Sequence, residues 1–329
     1  MHRPLRFSPF LRPTVWGGRR LGEVLNKPLD TTLLYGESWE VSDHAVHRSV
    51  AASDPWAGRS LRDLMEHERA DLLGVRSDAY GTFPWLIKFL DAHDWLSVQV
   101  HPDEAAVRRL LPEEGSKTEA WFVIDAARGS RVYAGLLPGV DERSLRQALA
   151  EGAVAECLHS FEPRPGDCVF LPAGTVHAVG GGVLMAEIQQ TSDATFRLFD
   201  WNRLDAQGKS RPLHFDQALS SIHWDQGPVN PVKAQGFAAS LASGSGTRRQ
   251  ALVCSPYFTL EYLQASKSLS LGGAERLQAL VILEGAGDFA GADWRDSWTK
   301  GQAWILPAAM PSIRCSAQGE IKALLCTLP

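Results

Sequence analysis

Short apolar runs bounded by Gly, Pro, Asn or Asp recur along the whole chain, while a sustained 3.6-residue apolar period occurs in only three places. The pattern predicts a mainly β protein with largely antiparallel strands and a few accessory helices. Ser60 is placed to cap a helix carrying Leu61, Leu64, Met65 and Leu72 and stopping at Gly74. Asp103 can open a short helix from Glu104 to Leu110, and Asp141 another that carries Leu145, Ala148 and Leu149 and stops at Gly152. Gly36 to Ser42 alternates enough to be a strand. Phe83 to Val100 reads as two strands joined by a turn around Asp91 to Asp94. Lys117 to Asp125 reads as a further strand, apolar on both faces, with Lys117, Glu119 and Trp121 pointing one way.

Glu162 to Asp200 is the densest segment. A strand runs into a turn at Pro172 to Gly174, a second strand carries His177, and a glycine turn at 180–182 leads to a third strand from Val183. Strand, P-A-G turn and His-bearing strand resemble the cupin half-barrel, a double-sheet jelly roll. Beyond Ile222 the chain changes character. Val229 to Thr247 is rich in Pro, Gly, Ser and Ala and reads as a connector to a second set of strands at Ala251–Leu263, Leu277–Glu284, Gln302–Pro307 and Ile321–Thr327. The expected units are therefore 1–225, a metal-binding cupin jelly-roll barrel with accessory helices, and 226–329, a degenerate cupin-like β domain. In the second, P-A-A-M-P-S-I at 307–313 occupies the place of P-A-G-T-V-H-A, with Ser312 where a His would stand. No His follows His223, so that half lacks the ligands of a His-bound metal and is expected to serve packing.

Composition narrows the class of partner. The chain has 329 residues, 44% hydrophobic and 22% charged, ample for a core, and a formal net charge of −5 without a basic run, which argues against a nucleic-acid surface. No apolar stretch approaches the roughly 18 residues of a membrane span. The N-terminus lacks the uninterrupted apolar helix of a secretory signal, and the five cysteines contain no C-x-x-C, so the expectation is a cytoplasmic protein with reduced, buried thiols.

The chemistry centres on L-S-V-Q-V-H-P-D-E at 96–104. Gln99 and His101 lie two residues apart in a predicted strand, so they share a face with a rise of roughly 6.6 Å between them, close enough to converge on one ion. Alone, such a pair also describes a hydrogen-bonded surface couple. Glu119 at the head of a two-sided apolar strand and His177 after the P-A-G turn extend it to one carboxylate, two imidazoles and an amide oxygen, a shell suited to a borderline metal with room for water. Lys88 sits among Leu86, Ile87, Phe89 and Leu90, where it either reaches the surface or meets an anion. His44, His47, His67, His93 and His159 fall in polar stretches and are expected at the surface, with His214 hydrogen-bonded in the core. Glu187 and Gln189 share a strand face and either line a pocket or satisfy each other.

The stretches W-G-G, G-E-S-W-E-V-S, I-K-F-L-D-A, L-S-V-Q-V-H-P-D-E, K-T-E-A-W, P-A-G-T-V-H-A-V-G-G-G, E-I-Q-Q-T-S-D-A-T-F-R-L-F-D-W-N-R and R-P-L-H-F run in order across about residues 15–215. In that order they resemble the type I phosphomannose isomerases of the short bacterial form. The resemblance implies one zinc ion per chain on Gln99, His101, Glu119 and His177. It implies Arg197 and Lys117 as catalytic cations, Asp193 as an acid–base or ring-opening group, and Ser97, Lys88 and Arg203 as phosphate contacts. The substrate would be a sugar phosphate, mannose 6-phosphate interconverting with fructose 6-phosphate through a cis-enediol, with no nucleic-acid or membrane partner and a monomer or homodimer as the assembly. Metal-bound water, Lys117 and Asp193 stay open as the proton-transferring base. Ser116 where Gly is usual and Phe196 in place of Tyr are the departures. A non-haem iron cupin oxygenase, which shares two His and one carboxylate, and a non-catalytic sugar-binding cupin are the alternatives.

Overall fold

Trp85–Ala92 is buried at every position, and it can be so because both faces of its sheet are covered. The computed structural model describes residues 1–75, 77–204, 208–237 and 246–329. Among them the strand order around this segment is Val232–Lys233, Asp167–Leu171, Glu119–Ala126, Val183–Gln190, Trp85–Ala92, Tyr35–Val41 and Phe10–Gly18. A second sheet, ordered Leu158–Phe161, Val132–Leu136, His177–Val179, Val98–Val100 and Phe196–Phe199, faces it. Leu90, Trp121, Val123, Val169 and Met185 from the first sheet meet Val132, Ala134 and Val179 from the second in one apolar interior. The turn near Asp91 to Asp94 therefore does not close a hairpin: it carries the chain from one sheet to the other.

The opposite face of the wide sheet explains why Lys117 to Asp125 looked apolar on both sides. Ile87, Phe89, Ala120, Phe122, Ala186 and Ile188 pack against Leu260, Tyr262, Ala279, Val281, Ile305 and Leu324 of a sheet from the C-terminal half. That sheet is ordered Leu5–Arg6, Ala303–Leu306, Gln278–Glu284, Ile321–Thr327, Thr259–Ala265 and Thr247–Cys254. Two short strands cross between the halves: Leu5–Arg6 pairs with Ala303–Leu306, and Val232–Lys233 pairs with Asp167 and Cys168. Of the predicted connector 229–247, residues 238–245 lie outside the described residues.

A further sheet of Ser268–Leu271, Ile313–Ala317, Ala286–Ala290 and Arg295–Thr299 closes the C-terminal interior, and these strands escaped the sequence reading. They are short and rich in Ser, Gly, Asp and Arg, and they bury only alternate residues such as Leu271, Phe289, Trp298 and Cys315.

The helices form as their caps predict. The side chains of Ser60, Asp103 and Asp141 accept from the backbone N–H three residues on, although the Ser60 segment divides into Leu61–His67 and Arg69–Leu73. Gly74 leaves the second piece at φ +77, a conformation that favours Gly. Leu145, Ala218 and Leu219 pack with Leu158 and Val98 of the narrower N-terminal sheet and cover its outer face. None of the helices among the described residues is long and apolar enough to cross a membrane.

Candidate active site

Two cross-strand rows face one another at one end of the N-terminal interior. In the narrow sheet Arg197 lies opposite Gln99, Gln99 opposite His177, and His177 opposite Ala134. In the wide sheet Trp121 lies opposite Glu187, Glu187 opposite Lys88, and Lys88 opposite Trp39, with Glu119 one step along, opposite Gln189. Antiparallel register sets directly opposed side chains about 4.5–5.5 Å apart at Cβ, so residues distant in sequence meet without special loops.

His101, Glu119 and His177 come together with one ligand atom each, all within 4.8 Å of one another. His101 Nε2 stands 3.3 Å from Glu119 Oε2, and His177 Nε2 3.5 Å from Glu119 Oε1. The other ring nitrogens are spoken for: Nδ1 of His101 is 2.8 Å from the Ala194 carbonyl oxygen and Nδ1 of His177 2.9 Å from that of Thr175. Because a carbonyl only accepts, each Nδ1 carries the proton and each Nε2 turns a bare lone pair inward. Nε2 of His101 and both oxygens of Glu119 are buried without a hydrogen-bond partner. Acceptor lone pairs so gathered repel one another unless a cation stands among them, and the donor set of two imidazoles and a carboxylate suits a divalent metal. Burial pushes His177 down to about 3, with His101 and Lys117 adding to the effect. Burial likewise lowers His101. Burial works to raise Glu119, but Lys117 and His101 overcome it and hold the carboxyl well below its ordinary range. Both imidazoles are thus neutral and the carboxylate charged, the protonation states that a metal needs. Gln99 adjoins the group, its amide nitrogen 3.2 Å from His177 Nε2 and its Oε1 accepting from Ser97 Oγ at 3.1 Å.

Gln99 and Lys117, the immediate neighbours of this cluster, also line a cleft of about 430 Å³, whose walls include Lys88, Ser97, Asp193 and Arg197. Lys117 Nζ is 3.2 Å from Glu119 Oε2. Lys88, which sequence alone left between surface and site, is buried in the site between Glu187 Oε2 at 3.3 Å and Glu37 Oε2 at 3.7 Å, with the Trp39 ring beside it. Burial works against its charge, and those two carboxylates more than offset it and raise its pKa. Asp193 faces Arg12 at 3.6 Å; burial tends to raise it, but Lys88, Lys117 and Arg12 hold it below the ordinary range. Arg197 donates from Nε to Ser97 Oγ at 3.2 Å and from Nη1 to the Pro212 carbonyl at 2.9 Å, both uncharged acceptors.

Arg203 stands apart from its expected neighbours. It is absent from the cleft wall; its guanidinium donates to the Trp95 carbonyl and lies 4.0 Å from Asp94. The arginines that do face the cleft beside Arg197 are Arg12 and Arg211, which sequence reasoning passed over. The signal for Arg211 was present at the head of R-P-L-H-F. Arg12 lies just before W-G-G on Phe10–Gly18, a strand that bulges out over 14–17 so that Thr14, Val15 and Trp16 reach the cleft. A Cβ on Gly17 would sit 2.4 Å from the Gly36 nitrogen, which accounts for the glycine there. Three of the histidines expected at the surface, His44, His47 and His159, are half-buried. His44 Nε2 lies 3.3 Å from both oxygens of Glu114, whose Oε2 also accepts from the Asp193 N–H, while His47 stacks on Phe10 at 4.2 Å. His214 carries the hydrogen bond expected of it, accepting at Nδ1 from the Arg197 N–H at 3.1 Å.

The catalytic domain described as phosphomannose isomerase type I matches residues 5–124. The mannose-6-phosphate isomerase of Streptococcus mutans is 34% identical over 325 residues, 98% of each chain. The mannose-6-phosphate isomerase ManA of Bacillus subtilis is 30% identical over 318 residues, 96% of this chain and 97% of that one. The crystal structure of the mannose 6-phosphate isomerase from Bacillus subtilis superposes with a TM-score of 0.85 at 28% identity, covering 98% of this chain and 99% of that one.

Proposed function

The chain belongs to the type I phosphomannose isomerases, and we propose that it is a zinc-dependent aldose–ketose isomerase converting mannose 6-phosphate to fructose 6-phosphate and back through a cis-enediol. The observation that carries this reading is the buried His101, Glu119 and His177 cluster, with its unpartnered inward-facing atoms, joined through Gln99 and Lys117 to a cleft that Lys88 and Arg197 also line. We assign the catalytic unit to residues 1–225 and a second unit without a metal site to 226–329.

One zinc per chain would be held by Gln99, His101, Glu119 and His177, Gln99 turning its amide so that Oε1 replaces Nε2 beside His177. Bound there, zinc supplies Lewis acidity toward the sugar oxygens. The remainder is the work of side chains. Moving the carbonyl from C1 to C2 takes a proton from C2 and returns it to C1, and the enediol oxygens gain negative charge in between. Arg197 reaches the cleft as a fixed cation to stabilise that charge, and Lys117 reaches it as a cation so long as it holds its proton. Burial lowers the Arg197 pKa, but a guanidinium starts so far above neutrality that it keeps its proton, so its role is electrostatic. Lys117, close to Glu119, and Asp193, ionised among Lys88, Lys117 and Arg12, are the two groups of the chain placed to move the proton.

Ser97 and Lys88 line the cleft and take the phosphate, Lys88 as the charged contact. Arg203, held on the Trp95 carbonyl, acts on the strand entry that carries Ser97. A coupled assay for fructose 6-phosphate on purified, metal-analysed protein tests the reading. Turnover with close to one zinc per chain supports it. Iron-loaded protein that consumes oxygen and leaves the sugar unchanged would make it an oxygenase, and sugar binding without turnover would make it a lectin-like cupin. Deuterium entering C1 or C2 in D₂O would support the enediol route.

A further inference from the structure

Lys117 and Glu119 sit on a segment, 116–119, that is tethered at nearly every residue, and one of the tethers comes from the C-terminal half. Tyr257 lies in the turn between Thr247–Cys254 and Thr259–Ala265, a turn closed by Ser255, whose Oγ accepts from the Phe258 N–H at 3.1 Å. The Tyr257 carbonyl accepts from Trp85 Nε1 at 3.1 Å, which seats the turn on the wide N-terminal sheet. Its phenol donates to Glu104 Oε1, and the same oxygen accepts from Ser116 Oγ at 2.9 Å. Ser116 Oγ accepts in turn from Gln190 Nε2 at 3.0 Å, and Gln190 Oε1 accepts from the Thr118 N–H at 2.9 Å. Lys117 N–H donates to the Pro102 carbonyl at 3.2 Å. Glu104 opens the helix that follows His101, so one carboxylate oxygen joins the His101 segment, the Lys117–Glu119 segment and the C-terminal half.

We propose that Tyr257 is a positioning residue for the reaction: through Glu104 and Ser116 it holds Lys117 and Glu119 in register with His101, and the half without a metal site is thereby part of the catalytic apparatus. The proposal rests on the isomerase reading above. Tyr257 belongs neither to the cleft wall nor to the His101, Glu119 and His177 cluster. Its phenol fixes Glu104, Glu104 gives Ser116 a fixed acceptor, and Ser116 with Gln190 brackets Lys117. Burial and the Glu104 carboxylate push the Tyr257 phenol up to about 12, so it remains a hydrogen-bond donor across the neutral range.

Tyr257→Phe removes one oxygen and leaves the ring and the backbone contact to Trp85 in place. We expect zinc affinity, read by competition with a chromophoric chelator, to weaken by up to about tenfold, the low end of the range for a direct outer partner of a metal ligand, because Tyr257 acts from further out through Glu104 and Ser116. We expect kcat to fall about tenfold or more with KM for mannose 6-phosphate changed less than about twofold, as for a change in catalytic geometry rather than in ground-state binding. Glu104→Gln, which keeps an acceptor oxygen for both donors, should retain more activity and zinc affinity than Glu104→Ala, and Ser116→Ala should reproduce the Tyr257→Phe effect from the other end. A Tyr257→Phe protein with a lower Tm but unchanged kcat and zinc affinity would reduce the contact to a clasp between the halves and overturn the proposal. Wild-type protein without isomerase turnover would sink the isomerase reading instead, and the zinc-affinity arm would still decide Tyr257.

Discussion

The two halves of this chain enclose similar spaces and fill them differently. In each, a wide sheet faces a narrow one, and a Pro-Ala turn leads from a strand of the wide sheet into a strand of the narrow one: Pro172–Gly174 before His177 in the first, Pro307–Met310 before Ile313 in the second. Where the first places His177, Glu119, Lys88 and Glu187, the second packs Leu280, Phe289, Trp298, Trp304, Met310 and Ile313 into a closed apolar cluster. Ser312, in the place of the histidine, is exposed. The second turn serves the packing of the halves instead, since its Ala308 and Ala309 N–H groups donate to the Leu72 and Asp71 carbonyls and so cap the end of a helix from the N-terminal half. A cupin interior therefore becomes a site by giving up apolar filling at its mouth. The polar groups left there cost desolvation, which mutual pairing offsets and a cation held by His101, Glu119 and His177 would offset further.

The largest effect that would break this contrast is at the metal cluster. Glu119→Ala or His177→Ala should abolish stoichiometric zinc in metal analysis and lower kcat by about 10³-fold or more, since several kcal/mol of charge stabilisation is lost and each 1.36 kcal/mol is tenfold in rate. Ser312→His should gain no metal, and a second ion there would refute the division between the halves. Next in size is the C-terminal core: Trp298→Ala should cost about 3–5 kcal/mol of stability by cavity formation, measured by urea unfolding, while kcat per folded molecule holds. Arg197→Lys should keep zinc yet lose about 10²- to 10³-fold in kcat, the usual cost of one misplaced charge-stabilising donor. Smallest is Ser97→Ala, expected to raise KM about tenfold, or roughly 1.5 kcal/mol for one hydrogen bond to a dianion. Because Ser97 Oγ also meets Gln99 and Arg197, zinc content and kcat are read beside KM; Lys88→Ala would further strand the half-buried Glu37 and buried Glu187 carboxylates, a loss worth about 3–5 kcal/mol in stability by itself.

The contrast also marks how far the sequence could be read. His101, Glu119 and His177, which the structure gathers into one cluster, were legible because His101 stands in V-H-P-D, His177 follows P-A-G, and Glu119 opens a strand apolar on both faces. The helix caps were legible for the same reason. The strands Ala286–Ala290 and Arg295–Thr299 were not, since one buried aromatic apiece, Phe289 and Trp298, leaves too little alternation to count. Arg203 looked like its cleft-facing neighbours in composition. Only the course of the chain after Phe199 turned it onto the Trp95 carbonyl and brought Arg211 into the cleft.

By itself the sequence determined which segments extend, where helices begin and end, and which residues are able to bind a metal, all matters of spacing within about ten positions along one chain. It also determined that the C-terminal half could not ligate through histidine, since it has none. Only the tertiary structure decided which sheet each strand joins, and so that Lys88 meets Glu37 and Glu187, that Arg12 reaches the cleft from a bulged edge strand, and that Tyr257 arrives beside Glu104 from 153 residues away. The reason is that strand register and the stacking of sheets set these distances. Both are fixed by burying apolar faces whose partners lie far apart in the chain, and local periodicity reports that a face must be covered without saying by what.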